Sequence, residues 1–180
     1  MPVSRAGLTL AEAHRTLQPI AMQQRDVPLL VQLVENPRFD LPGIEIFSGA
    51  TDLRKHDYLH MVLGRGLLPK DEAFVLGFTM GSTNRVGEVE ETLFTLIARY
   101  LYPKTYRFDD EDIAVYKDAV RLAYISDCRA LADVDFDPML DWPLGRIRME
   151  ISVEEDLLRA YYAIEARRYP ESVESQRLSA

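Results

Sequence analysis

An all-α fold, one compact multi-helix domain, is predicted for this 180-residue chain, and three observations predict it. Apolar residues recur mainly at helical spacing, with no convincing strand-type alternation beyond a few positions. Proline and glycine stand where helices would open or close. Acidic residues collect where helices would begin, as at Glu88, Glu90 and Glu91 and again from Asp109 to Asp112, where they complement the positive end of the helix dipole.

Taken in order, a first helix is expected over Leu10 to Leu17, ending near Pro19. DVPLLVQLVEN opens at capping Asp26 with Pro28 in its first turn. PRFDLPGIEIFSGATD holds Pro37, Pro42, Gly43 and Gly49, which makes it a loop with at most a short extended piece at Ile44 to Phe47. The next helix begins after Ser48 or Thr51 and stops around Gly64 and Gly66, residues suited to a left-handed closing position. Pro69 fits the first turn of a further helix, DEAFVLGFTMGST, which is apolar on almost every face and therefore central. Its Gly77 and Gly81, four apart, would let a neighbouring backbone approach closely. GEVEETLFTLIARYLYP stops at Pro103, and DDEDIAVYKDAVRLAYISDCRALAD reads as one long amphipathic helix. WPLGRIRMEI gives a short helix, and Ser152 with Glu155 has the pattern of a capping box opening a last helix that runs through Arg168. The domain is thus expected over residues 1–170, with ESVESQRLSA (171–180) as a frayed, flexible tail.

Composition narrows the function classes. The chain is 47% apolar and 28% charged, ordinary for a globular protein, and has no run of about 18 apolar residues that could span a bilayer. Its amino-terminal stretch lacks an apolar h-region with a small-residue cleavage site and carries Glu12, so a cytoplasmic protein of bacterial type is expected. A net charge of -8 without a Lys/Arg cluster argues against a nucleic-acid partner. The single cysteine, Cys128, rules out an internal disulfide and a cysteine-based zinc finger. Any metal must be held by nitrogen and oxygen.

The stretch RKHDYLHMVLGRGLLPKDE offers such ligands. At about 100° per residue, His56 and His60 lie one turn apart on nearly the same helix face, with Asp57 beside them. Imidazole nitrogen and carboxylate oxygen suit zinc, iron or manganese, and three protein ligands with an open position is a catalytic pattern. Glu72 could add a fourth ligand or a general base if the Gly64-Arg65-Gly66 turn folds the next helix back. Spacing alone leaves a second reading open: a solvent-facing helix on which Asp57 pairs with Arg54 or Lys55, and Asp71 and Glu72 complement a dipole.

HDYLHMVLGRGLLPKDE also resembles the signature of the coenzyme Q biosynthesis protein 4 family, His-Asp-x-x-His followed by eleven residues and Glu. The resemblance spans roughly residues 20–165 and is strongest over 52–82. It implies an all-helical domain, a divalent metal, described as zinc, on His56, Asp57, His60 and Glu72, and a hydrophobic groove for a polyprenyl lipid beside it. Iron, manganese and magnesium remain open as occupants. Asp71 departs from the family, where glycine commonly precedes the glutamate. The activity implied is ubiquinone biosynthesis: oxidative decarboxylation of a polyprenylated hydroxybenzoate, with loss of the carboxyl at ring carbon one and hydroxylation there. Implied partners are the prenylated aromatic lipid and other ubiquinone biosynthesis proteins, with peripheral contact at the inner face of the bacterial membrane and room for a homodimer.

Candidates for a lipid tunnel are Phe74, Val75, Phe78 and Met80, then Leu93, Phe94, Leu96, Ile97 and Leu101, although the same spacing equally describes a packed core. Tyr58 and Arg65 stand close enough to the motif to orient a ring or a carboxylate. Two other functions compete. One is a non-catalytic lipid-binding organiser of the biosynthetic complex. The other is an HD-type phosphohydrolase using His14, His56, Asp57 and Asp127, which leaves His60 and Glu72 unexplained.

Overall fold

The computed structural model describes residues 3–23, 50–83 and 108–179. Among these lie seven α-helices and no strand: α1 (Leu10–Gln23), α2 (Ala50–Leu63), α3 (Pro69–Ser82), α4 (Asp110–Ile125), α5 (Leu144–Glu150), α6 (Glu155–Arg168) and α7 (Val173–Gln176). The all-α expectation holds, and one apolar core runs from Val3 to Leu178. The helix expected from Asp26, the extended piece at Ile44 to Phe47 and the helix over 87–103 lie outside the described residues.

Where helices turn, the responsible residue is visible. α2 closes at Gly64, whose φ of 74° puts it in the left-handed region that glycine adopts without a Cβ clash. Arg65 N–H then reaches back to the His60 carbonyl at 2.8 Å and Gly64 N–H to that of Met61 at 3.2 Å, the paired bonds of a Schellman motif. Pro69 opens α3, and the Asp71 carboxylate accepts the Leu68 N–H at 3.1 Å. From Ala73 to Ser82 α3 is buried throughout. A Cβ on Gly77 or Gly81 would overlap the carbonyls of Tyr116 and Val120 on α4, so both glycines serve the close approach expected of them.

α4 begins with reciprocal capping: Asp112 N–H donates to Asp109 at 2.8 Å, and Asp109 N–H to Asp112 at 3.0 Å. It ends at Ile125, short of the long helix expected to Asp133. The Ser126 hydroxyl donates to the Ala123 carbonyl at 2.8 Å and accepts the Cys128 N–H at 3.3 Å. That hydroxyl replaces the helical ladder, and Leu131–Asp133 forms a separate 3-10 turn. α1, conversely, continues through Pro19 to Gln23; proline gives up its own N–H bond there while keeping a helical φ.

Two further expectations are corrected. Ser152 does not cap α6, whose N-cap is Glu154. It closes α5 instead at φ 57°, with Val153 N–H on the Arg148 carbonyl at 2.8 Å and Ser152 N–H on that of Met149 at 3.2 Å. Glu155, freed from a capping box, binds Arg148 at 2.9 Å and Arg159 at 3.3 Å. Nor is 171–179 a frayed tail. Ser172 caps α7, Ser175 donates to buried Glu165 at 2.9 Å, and Leu178 joins the core.

The proposed lipid-tunnel residues of α3 are core residues. Phe74, Val75, Phe78 and Met80 are no more than 1% exposed, and Phe74 stacks on Phe78 with centroids 5.7 Å apart while meeting the rings of Tyr161 and Tyr162. Leu93, Phe94, Leu96, Ile97 and Leu101 lie outside the described residues. Among the described residues, no helix is long and apolar enough to cross a membrane.

Replacing Ser152 with glycine removes a left-handed cost of about 1–2 kcal/mol against about 0.4–1 kcal/mol of added unfolded-chain entropy, so urea denaturation of Ser152→Gly should show a gain of about 0.5 kcal/mol. A second expectation concerns pH. Burial, with Asp109 and Glu174 nearby, pushes the Asp112 carboxyl up to about 6 against the opposing pull of the Asp109 N–H and Lys70. Unfolded, the group titrates near 4, so in between the folded protein keeps a proton the unfolded chain gives up, and stability falls as pH rises through that window. The melting temperature of Asp112→Asn relative to wild type should therefore improve between about pH 4 and pH 7.

Candidate metal centre

The end of α2 is buried, and its last carbonyls need partners once the ladder stops. Beyond the two bonds made by the Schellman turn, Arg148 of α5 donates through Nε to the Val62 carbonyl at 2.7 Å and through Nη2 to that of Met61 at 3.4 Å. Tyr162 of α6 donates its hydroxyl to the Leu63 carbonyl at 2.5 Å. Burial pushes the Tyr162 phenol up to about 12, which keeps this donor protonated. His60 belongs to the same last turn, so the anchoring also sets its height and rotation.

His56 and His60 project from one face of α2 toward the first turn of α3. Their Nε2 atoms lie 2.8 Å apart, with rings nearly perpendicular at 78°. Glu72 closes the triangle, Oε2 at 3.0 Å from His56 Nε2 and Oε1 at 3.3 Å from His60 Nε2. Among the described residues these three form a group whose ligand atoms all lie within 4.8 Å. His60 is fully buried, whereas the Glu72 side chain keeps 17% of its surface exposed.

The donor set fits a cation. Were both Nε2 atoms protonated, two N–H groups would meet head to head across 2.8 Å. At least one ring therefore presents a bare lone pair, and the carboxylate adds its own. A tetrahedral ion with bonds of about 2.0–2.1 Å has ligand edges of about 3.3 Å, so the observed triangle admits one after shifts of a few tenths of an ångström. Burial pushes the Glu72 carboxyl up, but the imidazoles of His60 and His56, through their hydrogen bonds and the positive charge that one of them can carry, outweigh it and hold the group well below the usual carboxylate range. Two imidazoles and a carboxylate could hold zinc, or iron in a facial arrangement.

Asp57 stands apart. Its Oδ2 meets His14 Nε2 of α1 at 3.1 Å, and the His14 ring lies edge-on to Tyr58 with centroids 5.1 Å apart. One residue turns the helix by about 100°, enough to aim Asp57 at α1 while His56 aims at α3. The four-residue set is thereby reduced to three. Tyr58 packs between His14 and Phe136, on the face of α2 away from the cluster. With Arg54 and Lys55 it borders a separate cleft of about 230 Å³ reaching to residues 133–137.

Nor does Arg65 face the cluster. Its guanidinium forks onto Glu165 at 3.0 and 2.5 Å and lies between the rings of Phe74 and Tyr162, 3.9 and 4.3 Å from their centroids. Asp71 is fully buried and turned toward Arg177 and Arg65, outside the triangle. Asp127 is exposed beyond α4, its N–H on Glu154 at 3.3 Å. The set His14, His56, Asp57 and Asp127 is not assembled.

Comparison with protein-family models, with curated proteins and with solved structures found no match. The resemblance to the coenzyme Q biosynthesis protein 4 family accordingly stands on the residues of the motif.

Zinc titration against a competing chelator separates the triangle from Asp57. Glu72→Gln should lose more than the about 10- to 100-fold typical of outer-shell changes, whereas Asp57→Asn should lose less than about tenfold.

Proposed function

We propose that the chain is a metal-dependent protein of ubiquinone biosynthesis, acting in the oxidative decarboxylation of a polyprenylated hydroxybenzoate, with His56, His60 and Glu72 as the protein ligands. One observation carries the reading. The two histidines and the distant glutamate of the motif, on separate helices, come within 2.8–3.3 Å of one another.

A divalent ion bound there supplies a Lewis acid for the substrate carboxylate or a neighbouring ring oxygen and keeps coordination positions open. His60, fully buried, forms the inner wall of the site, and Glu72 its solvent side, so the aromatic head group approaches along Glu72. The ionised Glu72 carboxylate would offset part of the cation's charge on that side. With dioxygen as oxidant and the ring as electron donor, the balance closes: hydroxybenzoate and dioxygen give the quinone, carbon dioxide and water. An external two-electron reductant would deliver the hydroquinone instead. The prenyl tail and the other proteins of the pathway are partners of this reading, and contact with the inner face of a membrane would present the tail.

The test is turnover by purified, metal-loaded protein given a short-chain prenylated hydroxybenzoate labelled at the carboxyl carbon, under oxygen. Labelled carbon dioxide and the decarboxylated ring product are expected from wild type. His60→Ala should release none, with helix content by circular dichroism retained. A wild type that binds metal and lipid without releasing label is an organiser and not the enzyme; full turnover by metal-free protein sinks the ligand assignment.

A further inference from the structure

The carboxy-terminal segment reaches the candidate metal centre from more than a hundred residues away. Ser175 donates to Glu165 at 2.9 Å, and Leu178 is buried in the core. Between them Arg177 sets its guanidinium on the carboxylate of Asp71. Asp71 directly precedes Glu72 in the first turn of α3.

Asp71 is fully buried, and a carboxylate without water needs cationic or N–H partners. It has the Leu68 N–H at 3.1 Å and Arg65 at 4.0 Å; Arg177 is the cation in direct contact. The turn before α3 makes room for that contact. The Arg177 guanidinium lies directly over Gly66, and a Cβ there would oblige this far end of a flexible side chain to shift.

We infer that Arg177 is a positioning residue for Glu72: by neutralising Asp71 it pins the first turn of α3 so that the next side chain meets His56 and His60. The inference rests on the metal centre proposed above. Ligand sites tolerate errors of only about 0.5 Å. Without Arg177, the Asp71 carboxylate would draw water into the turn, and the backbone that carries Glu72 would move with it. The strap formed by residues 172–179 thus becomes part of the site.

Cobalt(II) is a suitable probe because its visible absorption reports ligand geometry. In the 180-residue chain, Arg177→Gln should weaken cobalt and zinc binding by about 10- to 100-fold and alter the cobalt band at saturation. Arg177→Lys, which keeps the charge, should recover most of both. Arg177→Met, which keeps the apolar stem without the charge, should weaken cobalt binding as Arg177→Gln does. A merely structural arginine would lower the melting temperature of the metal-free protein and leave cobalt affinity and spectrum unchanged. That result in Arg177→Gln overturns the inference, as does wild-type cobalt affinity in Arg177→Met should Arg177→Gln not fold. Wild-type protein that takes up no cobalt overturns the metal centre and this inference together, an outcome distinct from the first because there the wild type binds.

Discussion

The carbonyl end of α2 is the constraint that brings α5 and α6 to the ligand-bearing helix. Leaving one buried carbonyl without a donor costs about 1–3 kcal/mol, and the last turn of α2 exposes those of His60, Met61, Val62 and Leu63 at once. Backbone N–H groups of Gly64 and Arg65 serve two of them. Arg148 and Tyr162 bring α5 and α6 to the rest. Arg148 adds a positive charge where the helix dipole is negative, and it also holds the Val3 carbonyl at 3.0 Å and Glu155 at 2.9 Å. One side chain therefore joins the amino terminus, the ligand-bearing helix and α6.

The start of α3 is held by a second buried charge network, in which Arg65 and Arg177 face Glu165 and Asp71. Buried ion pairs add little net stability, because desolvation offsets attraction, yet breaking one is severe. Such a network favours one register of the turn over its neighbours. With the end of α2 and the start of α3 both fixed, the imidazole pair and the Glu72 carboxylate have little freedom to miss each other. Arg65, in the position expected to orient a substrate ring, is instead committed to the frame that supports the ligands.

Much of this was legible in sequence wherever the cause is local. Helical spacing marked the helices, Gly64 and Pro69 marked the turn between α2 and α3, and Gly77 with Gly81 marked a close crossing. What was not legible depends on partners remote in sequence. Asp57 is aimed by His14, 43 positions away. The tail is ordered by Glu165 and by Asp71, the latter 106 positions away, and no composition rule separates such a tail from a frayed one. Ser152 was ambiguous for another reason: a short hydroxyl side chain suits a helix start, a helix stop or a left-handed turn, and here it sits in the closing turn of α5, where its own N–H and that of Val153 reach back to the Met149 and Arg148 carbonyls. Arg148 gave no signal of its own, since it shares the seven-residue helix LGRIRME with Arg146 and Glu150, and nothing in that stretch identifies the carbonyls of α2 as its target.

The displacement of Asp57 bears on what the proposed centre could do. Four protein ligands around an ion describe a closed structural site, while three leave room for water or substrate. Had Asp57 joined His56, His60 and Glu72, the set would have been complete without a substrate. Its engagement with His14 leaves two imidazoles and one carboxylate, and the exposed flank of that triangle is Glu72. The burial gradient from His60 to Glu72 would leave any further coordination position of such an ion on the solvent side.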